Sequence, residues 1–188
     1  MGFRENWYPD EQLTLLVQAC NVARERQGSI LEIGCWEGKS TVALANACYP
    51  ETLIAIDSWE GNATEGEDHP TVEALAERDV FAAFLANIEE QTQSNVDVRR
   101  QDCFEFLGRF DESVKFCHID AAHDYESVKR TIELLRPRLV DGAVLCGDDY
   151  ASAHAGREDL DGGVQRAVDE LLPGRGASGN FWYWLNES

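Results

Sequence analysis

The chain has 188 residues, with 16 Lys and Arg against 35 Asp and Glu, for a formal charge of −19. That balance argues against DNA, RNA and anionic membranes as main partners, since each rewards basic patches, and it suits a small or cationic ligand better. With 44% hydrophobic residues and no apolar run of about 20 residues, the chain reads as a single domain over 1–188 with no transmembrane span.

The first residues, MGFRENWYPD, have no apolar stretch of the secretory kind, and Tyr8 and Pro9 read as ordinary structure. SILEIGC (29–35) is the first predicted strand, followed by an Ala-rich helix, GKSTVALANACY (38–49). TLIAID (52–57) is the second strand, and VEALAERDVFAAFLANIEEQ (72–91) has the apolar spacing of one helix. VDVRRQD (96–102) is the third strand, then a short helix, CFEFLGRF (103–110), then a fourth strand, KFCHID (115–120). YESVKRTIELLRPRL (125–139) is helical, AVLCGD (143–148) is the fifth strand, GVQRAVDELLP (163–173) is a helix and NFWYWLN (180–186) an aromatic strand. The most apolar runs are near-continuous, as in parallel strands covered on both faces. The alternation predicts an α/β fold, a doubly wound, mostly parallel sheet with a C-terminal antiparallel strand. The cysteines Cys20, Cys35, Cys48, Cys103, Cys117 and Cys146 form no C-x-x-C pair, so reduced thiols in a cytoplasmic protein are expected.

Such sheets bind ligands at the carboxyl ends of their strands. Strand one ends in Glu32-x-Gly34-x-x-x-Gly38, where glycines tighten a turn and let a ligand approach the backbone. The pattern is neither a Walker A loop nor G-x-G-x-x-G. Strand two ends in Asp57, about 20 residues on, where an acid can accept from a ribose diol or cap a turn. Strand three ends in Asp102 before Cys103; Asp102 is expected to cap the next helix and to reach an adenine amino group. Strand four ends in Asp120, and strand five in Asp148 and Asp149. Three carboxylates at neighbouring strand ends suit Mg²⁺ or Ca²⁺, and without a cation one of them should hold its proton; the plainer alternative is a solvated loop. His123 is a base or substrate contact, or a helix-start histidine bonded to Asp120 or backbone. His118 reads as a satisfied core residue, and His69 and His154 as loop residues near a substrate.

Together these stretches resemble the class I S-adenosylmethionine-dependent methyltransferases, over about residues 28–172. The resemblance rests on LEIGCWEGKSTVALA, IDSWEG, HIDAAHDYESVKRTIELLRPRLVDGAVLCGDDY and GGVQRAVDELLP. The third is most similar to the small, metal-dependent O-methyltransferase branch, methyltransferase domain family 24. The resemblance implies that Glu32, Gly34 and Gly38 surround the methionine part of S-adenosylmethionine. It places Asp57 on the ribose, Ser58 and Trp59 beside the adenosine, and Asp102 and Cys103 at the adenine edge. It makes Asp120, Asp148 and Asp149 ligands of Mg²⁺ or another divalent cation, with Asp120 also near the cofactor. His123 takes the position where relatives carry a catalytic lysine, and Asp120 is expected to be catalytic beside it. The implied activity is methyl transfer to a small-molecule hydroxyl. The alternatives are a non-catalytic S-adenosylmethionine-binding module and a nicotinamide-dependent oxidoreductase. The last acid pair is Asp-Asp where relatives often have Asp-Asn. The N-terminal helices of many members are not expected here, and the final hairpin is expected to be truncated. Loops 60–70 and 151–162 would then cover the acceptor, with Trp36, Trp59 and Tyr150 lining it. The tail Phe181, Trp182, Tyr183 and Trp184 is a core or a homodimer contact.

Overall fold

Strands apolar on both faces need helices on both faces, and the computed structural model, which describes residues 2–5, 7–61, 70–151 and 162–187, supplies them. In chain order the helices are α1 (Asp10–Val22), α2 (Lys39–Cys48), α3 (Pro70–Glu77), α4 (Val80–Gln91), α5 (Cys103–Arg109), α6 (Tyr125–Leu135) and α7 (Gly163–Leu171). The parallel strands are β1 (Ser29–Ile33), β2 (Leu53–Asp57), β3 (Val96–Arg100), β4 (Val114–Ile119) and β5 (Leu139–Gly147). An antiparallel pair, β6 (Gly176–Ser178) and β7 (Phe181–Leu185), extends the sheet from β5, in the order β3-β2-β1-β4-β5-β7-β6.

Side chains alternate between the two layers with the period of a strand. Leu31, Ile33, Cys117, Ile119 and Leu145 pack with Val128 and Ile132 of α6 and Val168 of α7. Their neighbours Ile30, Phe116, Val144 and Cys146 pack with Leu16 of α1 and Leu44 of α2. The chain crosses back over the sheet between β3 and β4, so β1 and β4 flank the point where strand order reverses, and a crevice opens at their carboxyl ends.

Five sequence expectations change. A helix, α1, does precede β1. It buries Leu16 and Cys20, four residues apart, and starts with Asp10 and Glu11, which suit a helix N-terminus; packing rather than a strong repeat holds it. The helix expected over 72–91 is two helices, because Asp79 caps α4 by accepting from Ala82 N at 2.9 Å. The helix expected to reach 139 stops at Leu135, and Pro137 sits in a short 3-10 turn, Arg136–Arg138, since proline has no N–H for a helix interior. Strand β5 therefore starts at Leu139 rather than 143. The terminal hairpin is present, with a three-residue β6. Phe181 and Trp182 belong to the core, whereas Tyr183 is exposed. Among the described residues no helix is long and apolar enough to cross a membrane.

Candidate functional site

Gly34 follows β1 directly at φ +86, and a Cβ there would lie 1.9 Å from the Asp120 carbonyl oxygen. The missing side chain lets the ends of β1 and β4 close together, with Asp120 N donating to Ile33 O at 2.8 Å. Gly38 holds the left-handed position that opens α2, and its open side faces the Phe84 ring. It braces the loop rather than lining the crevice.

Asp57, at the end of β2, organises this loop. Its Oδ2 accepts from Cys35 N at 2.8 Å and Trp36 N at 3.1 Å, and its Oδ1 from Trp59 N at 2.7 Å. Trp59 then donates its indole N–H to Trp36 O and packs on Phe81 and Phe84. Asp102 caps α5 by accepting from Glu105 N. Burial and the neighbouring Asp102 push the Cys103 thiol up to about 11, so it is no thiolate at neutral pH. Asp57, Ser58, Trp59, Asp102 and Cys103 all line one cavity of about 900 Å³, roomy for a nucleoside cofactor and a small acceptor.

Asp120, His123 and Asp149 line the same cavity, with one ligand atom of each within 4.8 Å of the others. His123 Nε2 lies 2.9 Å from Asp149 Oδ2. Asp148, the third expected carboxylate, lines the same cavity but lies outside that group: its Oδ1 accepts from Gln12 Nε2 of α1 at 2.8 Å, and its backbone oxygen from the Trp182 indole. Burial, then the charge of Asp148, raises the carboxyl of Asp120; burial, then Asp149, raises that of Asp148. Crowded carboxyls that resist ionisation, beside an imidazole, suit a divalent cation. A nitrogen donor favours Mn²⁺ or Zn²⁺ at least as much as the all-oxygen preference of Mg²⁺ and Ca²⁺.

Glu32 is placed elsewhere than expected. It is fully buried, does not line the cavity, and brings Oε1 within 3.1 Å of His118 Nδ1. Burial disfavours a charged His118, but the Glu32 hydrogen bond and charge prevail and raise its pKa. His118 Nε2 meets the Tyr8 hydroxyl at 3.3 Å; burial raises Tyr8 far above the ordinary phenol range, so it remains neutral. Tyr150 also leaves the site, donating to Asp169 and accepting from Arg175. His69, His154 and most of the two proposed covering loops lie outside the described residues.

Four described non-glycine residues have positive φ, and three of them, Trp36, Trp59 and Asp149, line this cavity. Each such backbone costs about 1–2 kcal/mol, strain that concentrates where a loop must hold a ligand. Phe3, Glu5, Trp7 and Tyr8, which no sequence motif singles out, form part of the cavity wall ahead of α1. Their aromatic density was the available signal, but no periodicity accompanied it.

A family model described as a methyltransferase domain matches residues 31–150. No curated protein matches the chain. Among solved structures, the O-methyltransferase NovP is 18% identical, with a TM-score of 0.67 over 95% of this chain and 80% of that one. An O-methyltransferase from Bacillus cereus in complex with SAH is 18% identical, with a TM-score of 0.63 over 96% and 81%. TomG from Streptomyces achromogenes, an O-methyltransferase of tomaymycin synthesis in complex with SAM, is 22% identical, with a TM-score of 0.61 over 93% and 80%. At these identities the likeness is one of fold.

Proposed function

Because the chain belongs to the methyltransferase-domain family of class I S-adenosylmethionine-dependent enzymes, we propose that it moves the methyl group of S-adenosylmethionine to a hydroxyl of a small-molecule acceptor. The observation that carries this reading is a single cavity lined both by Asp57 and by the Asp120, His123 and Asp149 cluster. The sulfonium methyl is already electrophilic, so the protein's task is alignment. Asp57 and the loop it ties down orient the ribose, with Ser58, Trp59, Asp102 and Cys103 along the adenosine. The acceptor oxygen forms its bond to the methyl carbon as the carbon–sulfur bond breaks, and the sulfur keeps the electron pair.

A divalent cation held by Asp120, His123 and Asp149 would make the acceptor hydroxyl more acidic. A second reading follows from the 2.9 Å contact of His123 Nε2 with Asp149 Oδ2. In it the pair works without a cation, Asp149 orienting the imidazole and His123 taking the acceptor proton. The two readings compete, because a ligating nitrogen cannot also accept that proton.

Transfer of labelled methyl to a panel of hydroxyl acceptors, with Mg²⁺ or Mn²⁺ and again with EDTA, tests both. The cation reading expects an O-methylated product and a loss of about 50-fold or more with EDTA or in Asp149→Ala. Full activity in EDTA, lost in His123→Ala, selects the second reading. Methylation of nitrogen rather than oxygen would overturn the hydroxyl assignment.

A further inference from the structure

Four cavity-lining residues, Phe3, Glu5, Trp7 and Tyr8, precede the first helix in a strap whose described residues form no helix or strand; Tyr8, at its end, is buried against His118 of β4, and the residues before it need another anchor. We propose that Arg78, which does not itself line the cavity, is the positioning residue that folds this strap onto the cofactor loop. Arg78 lies just past the end of α3, and its side chain is only 11% exposed. Its guanidinium donates to both oxygens of Glu5, at 2.5 and 2.6 Å, and to Oε1 of Glu37 in the loop between β1 and α2.

The other contacts converge on the same loop. Glu37 is 3% exposed, and its second oxygen accepts from Arg4 N at 2.7 Å. Trp36 donates its indole N–H to Glu5 Oε2 at 3.2 Å and carries the Trp7 ring at 5.2 Å. Lys39, opening α2, donates to Tyr8 O at 2.7 Å. Two carboxylates from distant parts of the chain thus share one guanidinium. Without Arg78 they would face each other as like charges, one of them buried. The two-pronged geometry needs a planar fork, which lysine lacks. A cofactor seated on the Gly34–Gly38 loop and a strap pinned to that loop each favour the other's ordered state, and such coupling is reciprocal.

The test is hydrogen exchange of the peptide covering residues 3–9, together with calorimetric affinity for S-adenosylhomocysteine, on the full chain. In wild type, S-adenosylhomocysteine should slow that exchange. In Arg78→Ala the exchange should rise about 10-fold, the ligand should no longer slow it, and affinity should fall about 10-fold; Arg78→Lys should lie between. Glu5→Gln sits on the strap outside the core, so it reports the same release even if Arg78→Ala folds poorly. Strap exchange unchanged in both Glu5→Gln and Arg78→Ala overturns the proposal, as does a released strap with full affinity. If wild type binds no S-adenosylhomocysteine, the methyltransferase reading of the cavity fails, while the exchange comparison still decides the role of Arg78.

Discussion

Asp120→Asn is expected to lower kcat/KM by about 100-fold or more while raising the melting temperature at pH 8 in EDTA by about 5 °C. The two effects share one cause. Asp120 is pushed from the ordinary 3.8 up to about 7 by burial and by Asp148, and Asp148 is pushed up to about 6 by burial and by Asp149. A carboxyl whose folded value is raised contributes stability that is complete below the unfolded value, near 3.8, and is lost as pH rises through the folded value. At pH 8 the cation-free protein bears the full repulsion, and the neutral amide removes part of it. At pH 5 the wild-type pair holds much of its proton, so the gain should shrink. Thermal melts at the two pH values, beside methyl-transfer rates, check both halves. A variant that loses activity and stability alike at pH 8 would mean that the acids are held by contacts rather than strained by proximity.

Gly34→Ala carries the second large effect. It should destabilise the fold by about 3–5 kcal/mol or prevent folding, because φ is +86 and the new Cβ would fall 1.9 Å from a backbone oxygen. A flexible side chain could move aside; the Asp120 carbonyl sits on a strand end tied to β1 by the Asp120 N to Ile33 O bond. Gly108 provides the contrast. It lies inside α5 with nothing within 4 Å of a built Cβ, so Gly108→Ala should stabilise by about 0.5–1 kcal/mol through helix propensity. Denaturant unfolding of the two variants should move in opposite directions. Equal, small effects would show that the β1–β4 junction tolerates more space than its geometry allows.

What the sequence made legible follows from how local each signal is. Near-continuous apolar runs mark the central strands as buried on both faces, and the alternation of short strand-like and helical stretches located all five parallel strands, so the acids after them, Asp57, Asp120 and Asp148, were readable from pattern; the first residues of β5 were not. Asp102 as a cap is a local event and was readable as well. The misplacements involve distant partners. Asp148 turns to Gln12, which lies on a helix with too weak a repeat to anticipate, and Glu32 turns to His118, a neighbour only once β1 pairs with β4. The strap depends on Arg78 meeting Glu5 and Glu37 across 73 and 41 positions; no window of sequence contains that meeting. The break at Asp79 was hidden because apolar spacing continues through it, although the aspartate itself was a cap signal.

The most direct test of the central claim, that the carboxyl ends of β1 and β2 form an S-adenosylmethionine site built around Asp57, is calorimetric titration of S-adenosylhomocysteine into wild type and Asp57→Ala, with Mg²⁺ and with EDTA. Wild type should bind at about micromolar affinity, weakened at least about 30-fold when the carboxylate that holds the Cys35, Trp36 and Trp59 amides and lines the cavity is removed. No binding to wild type in either buffer, or equal affinity in Asp57→Ala, would contradict the claim.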